Sequence, residues 1–211
     1  MNPRILIIDY NVGNFQSVAN ALNFLGYNFS VSGDPKDLKT ADVFILPGVG
    51  AFHEAMKNLA SRELIEPLRE AVLGNQKPIL GICLGMQVLA EDSEEFGFHK
   101  GLGFIPGHVV RFKDKAGFPL PHVGWNNISI IKKDPLLSRV SDNSNYYFDH
   151  SFYFQCDKKY TIAKCNYGIE FSAAVQRDNV FGTQFHPEKS QVAGLKLFRG
   201  FIEGVKSHSR V

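Results

Sequence analysis

Pro78-Ile79-Leu80-Gly81-Ile82-Cys83-Leu84-Gly85-Met86-Gln87 is an apolar run that stops at a cysteine set between two glycines. It reads as a buried strand over Pro78–Ile82 that turns into a helix over Leu84–Glu91. A sharp strand-to-helix turn crowds the backbone, which favours flanking residues without a Cβ. The geometry expected is a nucleophile elbow, with sulfur in place of the hydroxyl of G-x-S-x-G sequences. A helix opening at Leu84 would aim N–H groups and the positive end of its dipole at the sulfur, which favours thiolate. The same stretch also fits an inert structural cysteine buried on an α/β strand. Residues elsewhere in the chain must decide between the two.

Outward from this stretch, the first half alternates strand and helix patterns. Arg4–Asp9 reads as a strand, and Asn14–Leu25 as an amphipathic helix that Gly26 stops. Phe29–Ser32 and Val43–Leu46 follow as strands, and Phe52–Leu59 and Leu64–Leu73 as helices. Short apolar strands between helices imply a parallel sheet covered on both faces. Functional sites in such sheets form at the carboxyl ends of the strands, where Cys83 and Pro47-Gly48-Val49-Gly50 both fall. From about Gly101 the texture changes: Val109–Phe112, Asn127–Ile131, Asn145–His150, Thr161–Tyr167 and Ala173–Gln176 read as strands joined by turns. This implies an antiparallel extension before the strand Val180–Gln184 and the helix Gln191–Val205 close the fold. The fold class is therefore α/β, a mostly parallel central sheet flanked by helices, in a single domain over residues 1–211.

A length of 211 residues, 44% hydrophobic and 21% charged, suits one globular domain with an ample core. The net charge of +2 argues against nucleic acid or anionic membrane as a partner. The chain has no apolar run approaching a membrane span and enters a strand almost at once, so a cytoplasmic location is expected. The three cysteines, Cys83, Cys156 and Cys165, lack C-x-x-C spacing, which argues against a disulfide framework and a structural zinc site. No metal and no cofactor is expected.

A thiolate nucleophile needs a histidine to protonate the leaving group and activate water, and a carboxylate to hold that histidine. Of seven histidines, His53, His99, His108 and His208 have ordinary neighbours and are expected to be solvated, while His122 and His150 are harder to dismiss. His186 follows a strand and precedes Pro187-Glu188, so a carboxylate stands two residues away across a residue of fixed φ. Together with the elbow this favours a Cys83–His186–Glu188 triad. Asp149-His150 is a rival acid–base pair, opposed by the alternation of side chains along a strand. The glycine turn at 47–50 can direct N–H groups toward an oxyanion. It can equally be a plain connecting turn, and it lacks the pattern of a phosphate loop.

Gly81-Ile82-Cys83-Leu84-Gly85-Met86-Gln87 with Gln184-Phe185-His186-Pro187-Glu188 resembles the signature of class I glutamine amidotransferases. Pro47-Gly48-Val49-Gly50-Ala51-Phe52, Leu120-Pro121-His122-Val123-Gly124-Trp125-Asn126, Tyr147-Phe148-Asp149-His150-Ser151 and the extension to Lys189-Ser190 are similar to the glutaminase subunits of imidazole glycerol phosphate synthases. The resemblance implies a flavodoxin-like fold and hydrolysis of glutamine to glutamate and ammonia. It implies an oxyanion hole from the N–H groups of Val49 and Leu84, and glutamine binding by Gly48, Gln87, Ser151 and Phe152. It further implies a heterodimer with a (β/α)8-barrel cyclase, met through Asn11, Asn14, Trp125, Tyr147 and Lys189. The cyclase would use the ammonia to form imidazole glycerol phosphate and an aminoimidazole carboxamide ribonucleotide. Asp149 departs from the apolar residue usual at its position. Alternatives are ammonia supply to a surface-sugar amidotransferase, an inactive regulatory subunit, and a general cysteine hydrolase.

Overall fold

Ile5–Ile8, Val43–Gly48 and Ile79–Cys83 are buried at every position, as strands covered on both faces must be. The computed structural model that contains them describes residues 3–208, with side chains as far as Val205. In chain order the first half comprises β1 (Ile5–Ile8), α1 (Phe15–Phe24), β2 (Phe29–Ser32), α2 (Pro35–Thr40), β3 (Val43–Gly48), α3 (Phe52–Ser61), α4 (Ile65–Arg69), β4 (Ile79–Cys83) and α5 (Leu84–Gln87). The second half comprises β5 (Asp92–Ser93), β6 (His99–Lys100), β7 (Gly107–Arg111), β8 (His122–Ile130), β9 (Asn145–His150), β10 (Phe152–Cys156), β11 (Thr161–Tyr167), β12 (Ile169–Arg177), β13 (Val180–Thr183) and α6 (Gln191–His208).

The main sheet has the order β2-β1-β3-β4-β13-β12-β11-β8-β9. Its first five strands are parallel, and the rest pair antiparallel, which is the expected extension. Alternation along β1 divides the core into two halves. Ile5 and Ile7 face Val18 and Leu22 of α1 and Leu197 and Phe201 of α6, whereas Leu6 and Ile8 face Leu38, Leu59 and Leu68 of α2, α3 and α4. A second, smaller sheet of order β10-β7-β5-β6 lies beyond β4 in sequence. Among the described residues, no helix is long and apolar enough to cross a membrane.

Several boundaries differ from those the sequence predicts. The short α2 was not expected, although Asp34 caps it by accepting from Lys36 N–H at 2.8 Å and Pro35 opens it. The helix expected over Leu84–Glu91 stops after one turn, at Gln87. The carbonyls of Val88, Leu89 and Ala90 accept instead from the N–H groups of Leu102, Phe104 and Gly103, so a distant segment takes the bonds a longer helix would need. The helix expected over Leu64–Leu73 ends in a π-helical turn, Glu70–Gly74. β3 runs two residues beyond its expected end, through Pro47 and Gly48. The side chain of His208, expected to be solvated, lies outside the described residues.

Candidate active site

Cys83 closes β4 with φ 52° and ψ −110°, a conformation that residues with a Cβ rarely adopt. Its glycine neighbours are there for closeness. A Cβ at Gly85 would overlap the Leu46 carbonyl oxygen, and one at Gly81 would lie 2.5 Å from the Gly85 carbonyl oxygen. Gly48, the register partner of Cys83, is equally confined: a Cβ there would lie 2.6 Å from the Tyr10 hydroxyl and 2.8 Å from Gly85 N. The expected elbow is present, but α5 is a single turn. The long helix dipole proposed from the sequence is therefore absent, and charge near the sulfur must come mainly from side chains.

His186 supplies that charge. Its Nδ1 lies 2.7 Å from Glu188 Oε1, and both side chains are buried. Burial alone pushes the imidazole down, but the neighbouring Cys83 and Glu188 outweigh it and lift His186 to about 10. Pro187 begins the 3-10 turn Pro187–Lys189 that holds His186 and Glu188 in this relation. Ser190 braces the segment: its hydroxyl donates to the His186 carbonyl at 2.6 Å and accepts from Tyr147 N–H at 3.0 Å. The sequence offered Ser190 only as part of a motif, without this role.

A cavity of about 720 Å³ opens over Cys83 and His186. The expected residues Val49, Leu84, Gln87, Ser151 and Phe152 line it, whereas Gly48 lies beneath, against Tyr10 and Gly85. Gln87 donates to the Phe152 carbonyl at 3.0 Å and to Gln184 Oε1 at 3.2 Å. The Gln184 amide in turn faces Cys83 Sγ at 3.8 Å. Gln184 was missed, although it sits two residues before His186 in the motif. Also unforeseen are Glu94, Glu95, Phe96 and Arg111, which reach the cavity from the second sheet and its connecting loop. Single short strands of two residues leave little sequence signal to place them. Asp149 lines the cavity while exposed, and its carbonyl oxygen lies 3.9 Å from Cys83 Sγ. His150 is buried against His122 and the Phe152 carbonyl, so the rival Asp149–His150 pair is not formed.

The five residues expected at a partner surface fall into two groups. Trp125 and Tyr147 are register partners on β8 and β9 with ring centroids 6.1 Å apart, and Lys189 Nζ lies 5.2 Å from the Tyr147 ring centroid. Trp125 is 48% exposed. Asn11 and Asn14 lie in the loop after β1, whose Gly13 abuts Pro47 and Gly48. Asn14 caps α1 by accepting from Ser17 N–H at 3.3 Å, and Asn11 accepts from Arg62 Nη2 at 2.6 Å. Both asparagines thus have local structural work as well.

The profile of the family described as "Glutamine amidotransferase class-I" matches residues 6–203. A HisH 1 subunit of imidazole glycerol phosphate synthase from Campylobacter jejuni is 50% identical over 197 residues, covering 93% of this chain and 98% of the relative. A HisH 2 subunit from Vibrio vulnificus is 48% identical over 204 residues, covering 96% and 95%. Among solved structures, a glutamine amidotransferase superposes with TM-score 0.76 at 18% identity, covering 95% of this chain and 98% of that one. PurLQS from Thermotoga maritima gives TM-score 0.75 at 18% identity, covering 97% and 100%. With its elbow cysteine, its buried histidine–glutamate pair and these relatives, the chain belongs to the class I glutamine amidotransferase family, among the HisH subunits of imidazole glycerol phosphate synthase.

Proposed function

We propose that this chain hydrolyses glutamine to glutamate and ammonia and passes the ammonia to a cyclase subunit. That subunit forms imidazole glycerol phosphate and an aminoimidazole carboxamide ribonucleotide in histidine biosynthesis. The observation that carries the reading is the buried His186, whose Nδ1 lies 2.7 Å from Glu188 Oε1 and which lines the same cavity as Cys83. An imidazolium beside the sulfur favours thiolate, the form that attacks a carboxamide carbon. The tetrahedral oxyanion then takes hydrogen bonds from the N–H groups of Leu84 and Val49. His186 gives its proton to the departing ammonia, and afterwards takes one from the water that attacks the γ-glutamyl thioester. Glu188 keeps the imidazole oriented and offsets its charge through both steps.

Glutamine also carries an α-ammonium and an α-carboxylate. The cavity offers complementary groups, with Glu94, Glu95 and Asp149 on one side of the charge balance and Arg111 on the other. Gln87 acts by fixing the Phe152 carbonyl and the Gln184 amide. Ser151 and Phe152 present backbone to the substrate, and Gly48 serves by letting β3 approach the elbow.

Ammonia is mostly protonated and unreactive at neutral pH, so direct delivery to an acceptor is favoured over release. The partner is a (β/α)8-barrel cyclase, docked on Trp125, Tyr147 and Lys189 and on the loop that holds Asn11 and Asn14. The heterodimer is cytoplasmic, and residues 1–211 act as one domain. The relatives' names support this acceptor over a surface-sugar amidotransferase. Retention of all three reactive side chains speaks against an inactive regulatory subunit. The test is co-purification with the cyclase followed by synthesis from glutamine and, separately, from an ammonium salt. Cys83→Ala should abolish the glutamine-dependent reaction and leave the ammonia-dependent one. Glutamine turnover that survives Cys83→Ala would sink the proposal.

A further inference from the structure

Two buried imidazoles outside the cleavage chemistry connect β8 to the floor of the cavity. Asn126 Nδ2 lies 3.4 Å from His122 Nε2, and His122 Nδ1 lies 3.2 Å from His150 Nε2. His150 Nδ1 lies 2.7 Å from the Phe152 carbonyl oxygen. These partners assign the tautomers. A carbonyl oxygen only accepts, so His150 carries its proton on Nδ1, and its Nε2 is left as an acceptor. His122 must then donate from its own Nδ1, which leaves its Nε2 to accept from the Asn126 amide. The Phe152 oxygen takes its second bond from Gln87, whose other hydrogen goes to Gln184, and the Gln184 amide faces Cys83. From Asn126 through the two rings every donor points toward the Phe152 oxygen, which the Gln87 amide meets from the side of the sulfur.

The rings are held as tightly as the bonds. His122 is stacked on Phe148 and on Tyr167, with centroids 4.7 Å and 3.9 Å away. His150 packs against Phe112 and Phe171 at 5.4 Å and 5.3 Å. Enclosure of this kind keeps water from the rings, and lost hydration penalises a charged imidazole. Burial accordingly holds His122 near 4 and, with the charges of His122 and His186 adding to it, His150 near 3, the Phe152 carbonyl opposing. A charged imidazole would carry a proton on both nitrogens, and the His122–His150 contact would then be two donors face to face.

We infer that His122 and His150 are positioning residues: a one-way relay of two neutral Nδ1–H imidazoles that fixes the Phe152 carbonyl and, through it, the Gln87–Gln184 amides facing Cys83. Cooperative polarisation along such a file strengthens each bond in it. Asn126 adjoins Trp125 on β8, so the relay also links the expected docking face to the glutamine pocket. Only that link, and its effect on turnover, rests on the glutaminase reading.

The tautomers are measured directly by long-range proton–nitrogen correlation on the histidine-labelled full chain at pH 7, with His122→Gln and His150→Asn used for assignment. Both residues should show a protonated Nδ1 and a bare Nε2; an Nε2–H tautomer or a charged ring at either would overturn the relay. The kinetic test compares His150→Phe with His150→Asn in the complex with the cyclase. Asparagine can donate from the position of Nδ1, and phenylalanine cannot. His150→Phe should lose about ten-fold in kcat/KM for glutamine, the scale of one lost hydrogen bond, while His150→Asn stays within about three-fold. Equal losses in the two variants, or none in His150→Phe, would overturn the assignment. The tautomer measurement uses no glutamine. A wild-type complex without glutamine turnover would therefore overturn the functional reading and leave the tautomers to decide the relay.

Discussion

The Tyr147 carbonyl accepts the His186 N–H at 2.9 Å, so the strand that displays Tyr147 also anchors the acid–base residue. Trp125 and Lys189 both lie against the Tyr147 ring, on the outer side of the same junction. The patch and His186 are joined by this backbone hydrogen bond and by the Ser190 hydroxyl, which bridges the Tyr147 N–H and the His186 carbonyl. Trp125→Ala should therefore leave melting almost unchanged, because the side chain is about half exposed. It should weaken binding of the cyclase by about thirty-fold, the effect of a loss of about 2 kcal/mol at an aromatic hot spot. Titration of the cyclase against glutaminase activity reads this out, and unchanged affinity would remove Trp125 from the interface.

Glu188 is predicted to matter through charge as well as through geometry. Glu188→Gln keeps an oxygen able to accept from His186 Nδ1 but withdraws the negative charge beside it. Turnover should fall by about 10² to 10⁴, approaching the loss seen when the orienting carboxylate of a triad is neutralised. His186→Ala should lower labelling of Cys83 by a glutamine-mimicking electrophile as well as turnover. Normal labelling in that variant would mean that the sulfur does not depend on the imidazole.

The elbow glycines make a stability prediction with an internal control. Gly85→Ala drives a methyl group into the Leu46 backbone, where no side chain can move aside, and should cost about 3 kcal/mol or more. At Gly50, by contrast, no described atom lies within 4 Å of an added Cβ, and only the φ of +106° opposes alanine. That substitution should cost about 1–2 kcal/mol. Urea unfolding of both variants would check the order, and equal costs would contradict the crowding argument.

Acidification should destabilise the chain through the histidine pair. In the unfolded state His122 and His150 take up protons as pH falls through their ordinary value of 6.5, whereas folded they resist until about 4 and about 3. Their contribution is complete above pH 6.5 and is lost as pH falls from there toward 4 and below. Asp134 works the other way, because burial raises it to about 6 and the folded form gains a proton between 6 and 3.8. Two groups against one leave a net loss. The urea midpoint should drop between pH 6.5 and pH 4.5, and His122→Gln should flatten the slope. A midpoint that rises on acidification would refute this account.

Much of this architecture was readable because its local signals were unopposed. β2, β9 and β11 fall at the expected residues, where alternation and turn residues agree with the final pairing. Cys83, His186 and Glu188 were legible because two short motifs name them and the parallel sheet puts both strand ends on one edge. The end of α5 was not legible, since residues 84–90 are buried on every side and carry no amphipathic period. Its length is decided by the segment 102–105, far away in sequence. Gln184 escaped for a similar reason: its role depends on an amide facing it from Gln87, 97 residues earlier.

Gly48, Gly81 and Gly85 let the backbones of β3, β4 and the elbow turn approach as closely as they do. Mechanically, this makes the sulfur an abutment. Its position is registered by the middle of the sheet and cannot shift without shearing β3 against β4. Next to it, Val49 is 42% exposed and Gly50 turns in open space, so that peptide is far less closely packed than the elbow. A shift of the Val49–Gly50 peptide would displace less packed structure than a shift of Cys83.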